Sequence, residues 1–539
     1  MTTPTLSTAP AANALDPRVL APHAIAHYAQ TTPDVVALRH VDGMMLTYRQ
    51  LDHEVRIWAT AFSKLDVTMG THVGTMLTNR FEAHCTMVGL GWLRAIEVPL
   101  NTAYIGRMLH YALDLADVTV LVTEAQFVDR IIAIANELPL LSTIVVVDAD
   151  MSSASGNIRI VGKHDFLTVT TLADDLVGPL DRDTACLLFT SGTTGPSKAV
   201  ITPWAVIWQN WSWVPADIVN EGDGLYCAMP LFHNSGRGAF NFAMAKGARF
   251  VIRDKFSAAS FWTDVRANQC EVASLVGPMT ALLWSAEEKP DDADNPLRSL
   301  VVGPLIAEIE QFKRRFGVRV TTTYGQTEIG CPLSSDWEAV PPTSCGRVRT
   351  DYPWPEICLA NEFDERVPRG QVGEMLVRTR APWAMNVGYY KMAAQTAAAW
   401  RNGWFHTGDA FTQDADGNYF FLDRMRDTIR RRGENISSFE VENMVAEHPS
   451  VIEVAAIGVA AALGEDEVMV VLVVRDQATF DANDLIAFLN ERMPRFMVPR
   501  YVEVMDDLPR VETSMRVKKT ELRARGVTAS TWDREAPNR

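Results

Sequence analysis

Apolar positions along the chain follow two different periods. Residues Tyr48 to Leu65 carry apolar side chains at the spacing of one helix face, whereas Val118 to Val122 and Thr143 to Val147 are short runs rich in β-branched residues. Helical segments that alternate with short strands are typical of layered α/β units. The sequence therefore predicts an α/β fold, with further strands at 225–230, 248–253 and 319–325.

The pattern changes beyond residue 425, and this change predicts a second domain. A helical stretch at 438–447 precedes strand patterns at 451–459 and 467–474, a second helical stretch at 482–492 and a last strand pattern at 501–504. Such an order is typical of a compact α+β domain. The sequence shows no internal repeat.

A chain of 539 residues is longer than one hydrophobic core usually organises. We predict a disordered tail at 1–17, a large N-terminal domain at 18–423 and a small mobile C-terminal domain at 424–539. The charged stretch at 422–427 is suited to a hinge between the two domains.

The segment 190–200 reads TSGTTGPSKAV and is the first candidate for chemistry. Glycines and small hydroxyl residues leave backbone N–H groups free to converge on an anion, and Lys198 adds a positive charge. Turns and linkers have the same composition more often, so both interpretations stay open. The G-x-x-G-x-x-K spacing differs from the phosphate loop G-x-x-x-x-G-K-[ST]. Apolar runs at 185–190 and 199–202 indicate that the segment joins two strands.

Bulk composition excludes several classes of protein. Hydrophobic residues make up 47% and charged residues 22%, which is ordinary for a globular chain. The formal net charge of −16 disfavours a wide nucleic-acid interface. No apolar run approaches the roughly 20 residues of a membrane-spanning helix. The first residues lack the basic region and apolar core of a secretory signal.

The 7 cysteines are scattered and form no C-x-x-C pair. This usage argues against a zinc site and against a disulfide framework, and it predicts reduced thiols. We therefore expect a cytoplasmic protein.

Five further motifs follow the first one in order: PLFHNSG at 230–236, TYGQTE at 323–328, HTGD at 406–409, DRMRDTIRRRGENISSFEVE at 423–442 and LPRVETSMRVKK at 508–519. Together with TSGTTGPSK they resemble the ordered core motifs of the adenylate-forming superfamily, which includes acyl-CoA synthetases, luciferases and adenylation domains of nonribosomal peptide synthetases. The likeness spans nearly the whole chain. It implies a large N-terminal domain and a small C-terminal domain that swings between two reaction steps.

The resemblance assigns phosphate binding to the first motif and to TYGQTE. In the second of these, Thr327 would hold the α-phosphate and Glu328 a Mg²⁺ ion, since hard cations take oxygen ligands and bridge phosphates. The alternative for Thr327 and Glu328 is a surface turn. The implied phosphate-binding residues of the first motif are Thr190, Ser191, Gly192, Thr193, Thr194, Gly195 and Lys198.

The nucleoside part of ATP is assigned to residues further along the chain. Asp409 would accept both ribose hydroxyls, and Arg424 would approach the same ribose from the hinge. The alternatives are a solvated turn aspartate and an exposed interdomain arginine. The resemblance adds to this nucleotide site the residues Gly303, Pro304, Thr323, Tyr324, Gly325 and Gln326.

His233 and the arginine-rich stretch are assigned to the acyl group and the thiol. A lone histidine is more often structural than catalytic, but the resemblance places His233 at the carboxylate of the acid. Because the sequence supplies no nucleophile near it, we expect His233 to position the carboxylate and not to act as a general base. Gly433 would lie beside the pantetheine tunnel of coenzyme A, and Arg426 would be the hinge residue. The nearby arginines 424, 426, 430, 431 and 432 would attract coenzyme A phosphates, or else form a solvated face.

The last motif departs from the family pattern. The family ends in Pro-x-x-x-x-Gly-Lys, and its lysine contacts the phosphates and the substrate carboxylate. The present chain has no Gly-Lys there, and alignment from its C-terminal side puts Arg516 in the place of the lysine, with Lys518 as the second candidate. Arginine keeps the charge but changes reach and geometry.

The implied activity is an ATP-dependent acyl-CoA ligase with ATP, Mg²⁺ and coenzyme A as its cofactors. A carboxylate attacks the α-phosphorus of ATP and releases pyrophosphate, and the thiol of coenzyme A then displaces AMP. No base is needed in the first step, because catalysis rests on alignment and charge neutralisation. Coenzyme A is the expected thiol because the sequence shows no carrier domain.

Within the superfamily, 120–127, 430–449 and 506–510 look most like the crotonobetaine/carnitine-CoA ligase branch. The expected substrate pocket includes Asn234, Arg237, Ile329 and Gly330. If Arg237 faces the pocket, a polar or second anionic group on the acid is favoured, and the alternative is that Arg237 pairs elsewhere. Tryptophans 208, 211 and 213 fit either a quaternary-ammonium cage or helix packing.

Two other functions remain open from the sequence. One is an adenylating enzyme with another acceptor, and the other is a nucleotide-binding or acyl-adenylate-binding protein that has lost turnover, as the Met515-Arg516 departure suggests. The expected partners are a small carboxylic acid and coenzyme A, without nucleic acid and without integral membrane association. The oligomeric state is open, a homodimer included.

Overall fold

A computed structural model describes residues 15–169, 171–173, 176–190, 197–306, 308–337, 341, 344–424, 428–432, 434–461, 464–509 and 517–536. Structural statements below concern these residues. Several sequence assignments fall outside them, namely Ser191, Gly192, Thr193, Thr194, Gly195, Arg426, Gly433 and Arg516.

The first part of the chain, up to residue 203, alternates short strands with helices. Its strands are β1 Val36–His40, β2 Met45–Thr47, β3 His72–Met76, β4 Ile96–Pro99, β5 Val120–Thr123, β6 Thr143–Val146, β7 Ser152–Ser155, β8 Ile158–Gly162, β9 Thr184–Thr190 and β10 Lys198–Pro203. Its helices are α1 Ala21–Thr31, α2 Tyr48–Ser63, α3 Phe81–Trp92, α4 Gly106–Leu115, α5 Ala125–Ile132 and α6 Lys163–Phe166.

The middle part contributes β11 Gly224–Cys227, β12 Arg249–Ile252, β13 Val272–Val276, β14 Ser299–Gly303, β15 Arg319–Thr321, β16 Leu333–Ser334, β17 Arg347–Val348, β18 Pro355–Ala360, β19 Gly373–Thr379, β20 Trp400–Arg401, β21 Trp404–Gln413 and β22 Tyr419–Arg424. Its helices are α7 Trp204–Gln209, α8 Asn234–Ala245, α9 Ala258–Ala267, α10 Gly277–Trp284, α11 Ile309–Phe316 and α12 Ala393–Ala399.

The last part, from residue 428, is the small C-terminal region. Its strands are β23 Thr428–Arg431, β24 Glu434–Ser437, β25 Val451–Ala460, β26 Asp466–Val474, β27 Tyr501–Val504 and β28 Trp532–Asp533. Its helices are α13 Ser438–Ala446, α14 Ala482–Asn490 and α15 Lys519–Arg525. The order of helices and strands agrees with the α+β pattern that the sequence predicts.

Two large sheets dominate the N-terminal region. One has seven strands in the order β15-β14-β13-β11-β12-β1-β2, and the other has eight in the order β10-β9-β4-β3-β5-β6-β8-β7. Most neighbours are parallel, and β9 pairs with β10 as the antiparallel hairpin that the sequence predicts. A smaller antiparallel sheet is formed by β18, β19, β20, β21 and β22. In the C-terminal region, β25 to β28 form a four-stranded sheet and β23 pairs with β24.

The hydrophobic cores show that the two large sheets and their helices form layers. One core joins residues of both sheets with buried faces of α1, α2, α3, α7 and α8, which places these helices between the sheets. A second core packs α4 and α5 on the outer face of the eight-stranded sheet. A third packs α9, α10 and α11 on the outer face of the seven-stranded sheet. Parallel strands covered on both faces are buried, which explains their uninterrupted apolar runs.

Helix α2 illustrates how local sequence sets an element of this core. The Thr47 hydroxyl oxygen accepts a hydrogen bond from the backbone N–H of Gln50, and Gln50 Oε1 accepts one from the backbone N–H of Thr47. This capping box fixes the start of the helix. Leu51, Val55 and Phe62 then lie on its buried face, so the helix spans the stretch predicted from its apolar period.

The described part of the chain includes residues that the sequence assigns to a disordered tail. Pro17 is the first residue of a short 3-10 helix, Pro17–Val19, whose cap is the side chain of Asp16. The backbone N–H of Leu15 donates to Asp181. Residues 15–17 therefore belong to the folded N-terminal region. Within the described part of the chain, no helix combines the length and the apolar character needed to cross a membrane.

Candidate active site

The carboxyl ends of two neighbouring parallel strands form one edge of the site. β14 and β15 run side by side, with Val301 opposite Thr321. The chain continues from β14 into Gly303-Pro304 and from β15 toward Thr323-Tyr324. A Cβ atom at Gly303 would lie 3.5 Å from the carbonyl oxygen of Thr323. Four residues assigned to the nucleotide are thus neighbours at the place where open α/β sheets bind ligands.

A tight turn presents Thr327 and Glu328 at this edge. The backbone N–H of Gln326 donates to the carbonyl oxygen of Gly330, and the N–H of Gly330 donates back to Gln326. Gly330 has φ of 63°, a conformation that favours glycine. A Cβ atom at Gly325 would overlap the carbonyl oxygen of Gly330. Gly325 is therefore required by the close approach of the two backbone segments, and Gly330 by its backbone conformation.

Glu328 brings together residues from distant parts of the sequence. Its Oε1 atom lies 3.4 Å from Thr190 Oγ1 and 3.1 Å from Tyr389 Oη. The Nζ atom of Lys198 lies 4.5 Å from the centre of the Tyr389 ring. Three residues assigned to the phosphates or the metal thus lie around Tyr389, namely Thr190, Lys198 and Glu328. Sequence reasoning missed Tyr389, because GYYKM at 388–392 resembles none of the recognised motifs.

These groups suit a hard divalent cation. Glu328 and its neighbours Thr190 and Tyr389 offer oxygen atoms, the ligand type that Mg²⁺ prefers. Among the described residues, no cluster of three or more histidine, cysteine or acidic side chains could hold a metal alone. Mg²⁺ is commonly held by one or two carboxylates together with substrate phosphates. The donor set therefore fits a cation that arrives with a nucleotide.

Asp409 links the TYGQTE and HTGD motifs. It lies in β21 and is 2% exposed. Its Oδ2 atom accepts hydrogen bonds from Tyr324 Oη at 2.6 Å and from Gln326 Nε2 at 2.8 Å. Arg424 stands opposite Asp409 in the pairing of β21 with β22. Two residues assigned to the ribose are therefore sheet neighbours, and the carboxylate of Asp409 is oriented by the motif that carries Glu328.

His233 contacts the C-terminal region. It precedes α8, and its Nε2 atom lies 3.4 Å from Glu434 Oε2. Asn101 donates to the other oxygen of Glu434 at 3.3 Å. Burial raises the pKa of Glu434, but the charge of His233 and these hydrogen bonds outweigh burial and hold the pKa below its ordinary value. Glu434 therefore remains a carboxylate against His233, and sequence reasoning did not single it out.

A second glutamate of the C-terminal region contacts the strand after the first motif. Glu440, in α13, accepts hydrogen bonds from the backbone N–H of Ser197 at 2.9 Å and from Ser197 Oγ at 2.6 Å. Burial raises the pKa of Glu440 above its ordinary value, although both hydrogen bonds act in the opposite direction. Ser197 directly precedes Lys198. The C-terminal region thus touches both the phosphate motif and the histidine motif.

The described lysines of the last motif form ion pairs with residues of the C-terminal region. Lys518 Nζ lies 2.8 Å from Glu521 Oε1. Lys519 Nζ lies 2.6 Å from Glu442 Oε1 and 2.9 Å from Ser438 Oγ. Arg516 is outside the described residues. In this arrangement Lys518, the second candidate for the adenylation cation, pairs with Glu521 in the helix that begins directly after it.

The arginine-rich stretch divides into buried and exposed members. Arg431 is 1% exposed, lies 2.6 Å from Glu467, and donates to the carbonyl oxygens of Phe496 and Val498. Arg430 lies 3.5 Å from Glu465. Arg431 is therefore buried in an ion pair, which neither alternative for the run, attraction of phosphates or a solvated face, predicts for this residue. The side chain of Arg424 lies outside the described atoms.

Arg432 belongs to a different cationic group. It is exposed, and it lines a cavity of about 310 Å³ between the two regions of the chain. Its positive neighbours in that cavity come from other segments, since Arg495 follows α14 and Arg534 follows β28. Burial lowers the pKa of Arg534, and the charges of Arg495 and Arg432 lower it further. The lining residues are Ala103, Arg431, Arg432, Arg495, Phe496, Arg534 and Glu535.

Arg237 is committed to a buried ion pair. It is 1% exposed, and Nη1 lies 2.7 Å from Glu97 Oε2. Its other nitrogens donate to the carbonyl oxygen of Leu231. This is the pairing alternative that the sequence left open, and it corrects the expectation of a pocket cation. Glu97 lies 140 positions away in the sequence, so no local signal could have indicated the pair.

Other residues assigned to the substrate pocket lie in or beside the core. Ile329 is 2% exposed. Asn234 is 7% exposed, and neither its Oδ1 nor its Nδ2 atom has a hydrogen-bond partner in the described part of the chain. Trp208 stacks on Phe242, and the rings of residues 208, 211 and 213 all pack in or against the central core. The packing alternative for the tryptophans is therefore correct.

Comparisons with known proteins agree with the order of the motifs. A family model described as AMP-binding enzyme matches residues 25–390, and one described as AMP-binding enzyme C-terminal domain matches residues 440–514. The crotonobetaine/carnitine-CoA ligase of Salmonella agona is 30% identical over 487 residues, which cover 88% of this chain and 92% of the relative. The corresponding ligase of Salmonella paratyphi A is 29% identical over the same length.

Solved structures share the fold. A double mutant of o-succinylbenzoate CoA synthetase from Bacillus subtilis matches with a TM-score of 0.79 and 23% identity, over 93% of this chain and 98% of that one. An amide bond synthetase from Marinactinospora thermotolerans matches with a TM-score of 0.80 and 22% identity, over 93% and 99% of the two chains. These likenesses establish the large N-terminal and small C-terminal domains.

Proposed function

The chain belongs to the AMP-binding enzyme family, and from this premise we propose that it is an ATP-dependent acyl-CoA ligase. In the first step an oxygen of a carboxylate attacks the α-phosphorus of ATP, and pyrophosphate leaves with the bonding electrons. In the second step the thiolate of coenzyme A attacks the acyl carbonyl, and AMP leaves. The observation that supports this proposal most is that Glu328, Thr190 and Lys198 lie around Tyr389. The buried Asp409 is connected to the motif of Glu328 through Tyr324.

The first step requires alignment and charge neutralisation, because the attacking carboxylate is already ionised. Lys198 supplies a positive charge near Tyr389, and Thr327 offers a hydroxyl to the α-phosphate. Mg²⁺, held by Glu328 when nucleotide is present, would neutralise phosphate charge. His233 positions the carboxylate of the acid. These roles explain a site that is rich in hydroxyl groups and cations and poor in acid/base pairs.

The nucleoside is held by the ends of β14, β15 and β21. We assign the adenine to the segments that contain Gly303, Pro304, Thr323 and Tyr324. Asp409 accepts the ribose hydroxyls through its carboxylate, which Tyr324 and Gln326 orient. An aspartate fixed before binding loses little conformational freedom on contact with the ribose. Arg424, opposite Asp409 in the sheet, approaches the same ribose.

We assign the described arrangement of the N-terminal and C-terminal regions to the second step, the transfer of the acyl group to coenzyme A. Glu434 and Glu440 contact His233 and Ser197, while Lys518 pairs with Glu521 within the C-terminal region. The first step needs the cation of the last motif, Arg516 or Lys518, at the phosphates. The C-terminal region must therefore rotate about the segment near Arg426 between the two steps.

The cavity lined by Arg432, Arg495 and Arg534 is our candidate for the phosphates of coenzyme A. Guanidinium groups form bidentate hydrogen bonds with phosphate oxygens. Arg432 lines the cavity and directly precedes Gly433 in the sequence, and the family pattern places Gly433 beside the pantetheine. Replacement of both Arg432 and Arg495 by glutamine should raise KM for coenzyme A by about 10-fold and leave KM for ATP unchanged.

We further propose a cytoplasmic location. All 7 cysteines are free, and all but Cys345 are buried. Burial raises the pKa of the Cys331 thiol to about 11 and that of Cys186 to about 12. Buried, protonated thiols are typical of proteins from a reducing compartment.

The experiment that tests the activity is a panel of alkanoic, aryl, dicarboxylic and betaine-like acids. AMP release with and without coenzyme A and acid-dependent pyrophosphate exchange are measured for each acid. We expect exchange with at least one acid and thioester formation only when coenzyme A is present. Exchange without a thioester would indicate another acceptor. AMP binding without exchange for any acid would contradict the ligase assignment.

A further inference from the structure

Gln209 is a buried side chain that touches the turn carrying Glu328. It is the last residue of α7 and is 0% exposed. Its Nε2 atom donates to the carbonyl oxygen of Ile329 at 2.8 Å and to that of Ala384 at 3.2 Å. Its Oε1 atom accepts a hydrogen bond from the backbone N–H of Cys331 at 3.2 Å. One side chain thus joins three segments that are far apart in the sequence.

The geometry matches a primary amide and no other side-chain group. Two carbonyl oxygens require two N–H donors, and one backbone N–H requires an acceptor. A hydroxyl has one donor, a carboxylate has none, and an ammonium group has no acceptor. The fit is also tight, because a Cβ atom at Gly330 would overlap the amide of Gln209. Every hydrogen-bonding group of this amide is in use.

The segments that Gln209 joins also hold Glu328. Ile329 follows Glu328 directly in the turn. Asn386 lies two residues beyond Ala384, and its backbone N–H and its Nδ2 atom each donate to the carbonyl oxygen of Glu328 at 2.8 Å. Tyr389 then contacts the Glu328 carboxylate at 3.1 Å. Gln209 therefore connects the turn to the segment 384–389. That segment contacts both the backbone and the side chain of Glu328.

Arg349 secures the other side of the same connection. It is 7% exposed, and its Nη1 atom donates to the backbone carbonyl oxygens of Gln209 at 3.2 Å and Cys331 at 3.4 Å. The end of α7 and the residue after the turn are thus joined by one guanidinium. The position of Gln209 relative to the turn is fixed by backbone contacts as well as by its side chain.

We propose that Gln209 is a positioning residue that sets the place of Glu328 for the first step and has no role in the second. This inference rests on the proposed ligase function, because Glu328 acts on the nucleotide phosphates only in adenylation. A displacement of about 1 Å at a catalytic group can slow a reaction about 100-fold. Loss of the Gln209 amide therefore acts on the chemistry through Glu328.

The test compares Gln209→Met, which keeps the volume and removes the amide, with Gln209→Glu, which replaces the two N–H donors by acceptors. The control is Asn241→Leu. Asn241 is 0% exposed, accepts from the backbone of Ala21 and donates to the carbonyl oxygen of Val19. It has the same kind of buried amide contacts, but both of its partners lie at the start of the described chain and not in the turn.

We expect both Gln209 variants to slow acid-dependent pyrophosphate exchange about 10- to 100-fold. Thioester formation from a synthetic acyl-adenylate should stay within about 2-fold of wild type, since that step does not use Glu328. Asn241→Leu should lower the melting temperature similarly and slow neither step by more than about 2-fold. Equal slowing of both steps by Gln209→Met, or unchanged exchange, would overturn the proposal.

A second measurement needs neither ligand nor turnover. Amide hydrogen exchange of the ligand-free protein should become faster at 327–331 in the Gln209 variants and remain unchanged in β25 and β26. If the wild-type protein shows no pyrophosphate exchange with any acid, the proposed ligase function fails. Amide hydrogen exchange would still decide whether Gln209 orders the turn. Failure of both Gln209 variants to fold while Asn241→Leu folds would make the residue a determinant of the core and overturn the proposal.

Discussion

The site has one side that faces the nucleotide and one side that faces the C-terminal region. Both sides are built from the same kinds of side chain, but these side chains are held in different ways. Glu328 and Asp409 have all their described partners within the N-terminal region, and those partners are themselves fixed by turns and strands. Glu434 and Glu440 reach His233 and Ser197 from the other region of the chain.

This difference separates groups whose contacts must persist through the reaction from groups whose contacts must break between the two steps. In the proposed mechanism Asp409 holds the nucleoside in both steps and Glu328 acts in the first, and a carboxylate that is fixed before binding suits either role. Under the proposed rotation of the C-terminal region, contacts between the two regions must break, and strong contacts would hinder that motion. The partly exposed pair of His233 and Glu434 suits such a contact, because exposed ion pairs contribute little stability.

The largest expected effect is on the fixed side. Glu328→Gln should slow pyrophosphate exchange about 100-fold or more, because it removes the charge that faces the metal and phosphates. Thioester formation from a synthetic acyl-adenylate should change by less than about 3-fold. Glu356→Gln, which removes an exposed carboxylate beside Arg378 and Arg380, is the matched control. Equal loss in both steps would show that Glu328 does not act on adenylation alone.

A smaller effect is expected where the two regions meet at His233. Glu434→Gln should slow thioester formation about 5-fold by weakening the docked arrangement, and should leave pyrophosphate exchange within about 2-fold. Rapid-quench measurement of each half-reaction separates the two rates. The control is Glu447→Gln, which removes the exposed interregion pair of Glu447 and Arg107. Slower exchange in Glu434→Gln would contradict a role confined to the second step.

The smallest effect concerns Glu440 and depends on pH. The pKa of Glu440 is raised by burial, so the docked state favours its protonated form. Its contribution to stability is therefore full below the ordinary pKa of about 4.5 and is lost as the pH rises through the raised value. Glu440→Gln keeps an oxygen acceptor for Ser197 and carries no charge.

We expect Glu440→Gln to increase the free energy of unfolding at pH 7 by about 0.5 kcal/mol or less, and to flatten its dependence on pH between about 4.5 and 7. Urea denaturation at several pH values measures both quantities. In Glu434 the pKa is lowered, so its contribution has the opposite sign and is lost as the pH falls below about 4.5. An unchanged pH profile in Glu440→Gln would contradict the assignment.

The comparison also shows which residues sequence motifs can and cannot supply. Glu328, Asp409, Thr190 and Lys198 were assigned through motif resemblance, and the structure gathers them at one edge. Tyr389 and Gln209 belong to no recognised motif, yet they contact Glu328 and its turn. Arg237 was placed near the pocket from its position after His233, and its partner Glu97 lies in a strand of the other large sheet.

The sequence by itself determined the α/β character, the hairpin of β9 and β10, the smaller C-terminal region and the family, because periodicity, turn residues and ordered motifs are local features of the chain. Only the tertiary structure decided that Arg431 is buried against Glu467 while Arg432 is exposed, that Arg237 pairs with Glu97, and that Gln209 contacts the turn carrying Glu328. Each of these depends on groups brought together by packing across tens to hundreds of residues, and neither spacing nor residue type records such contacts.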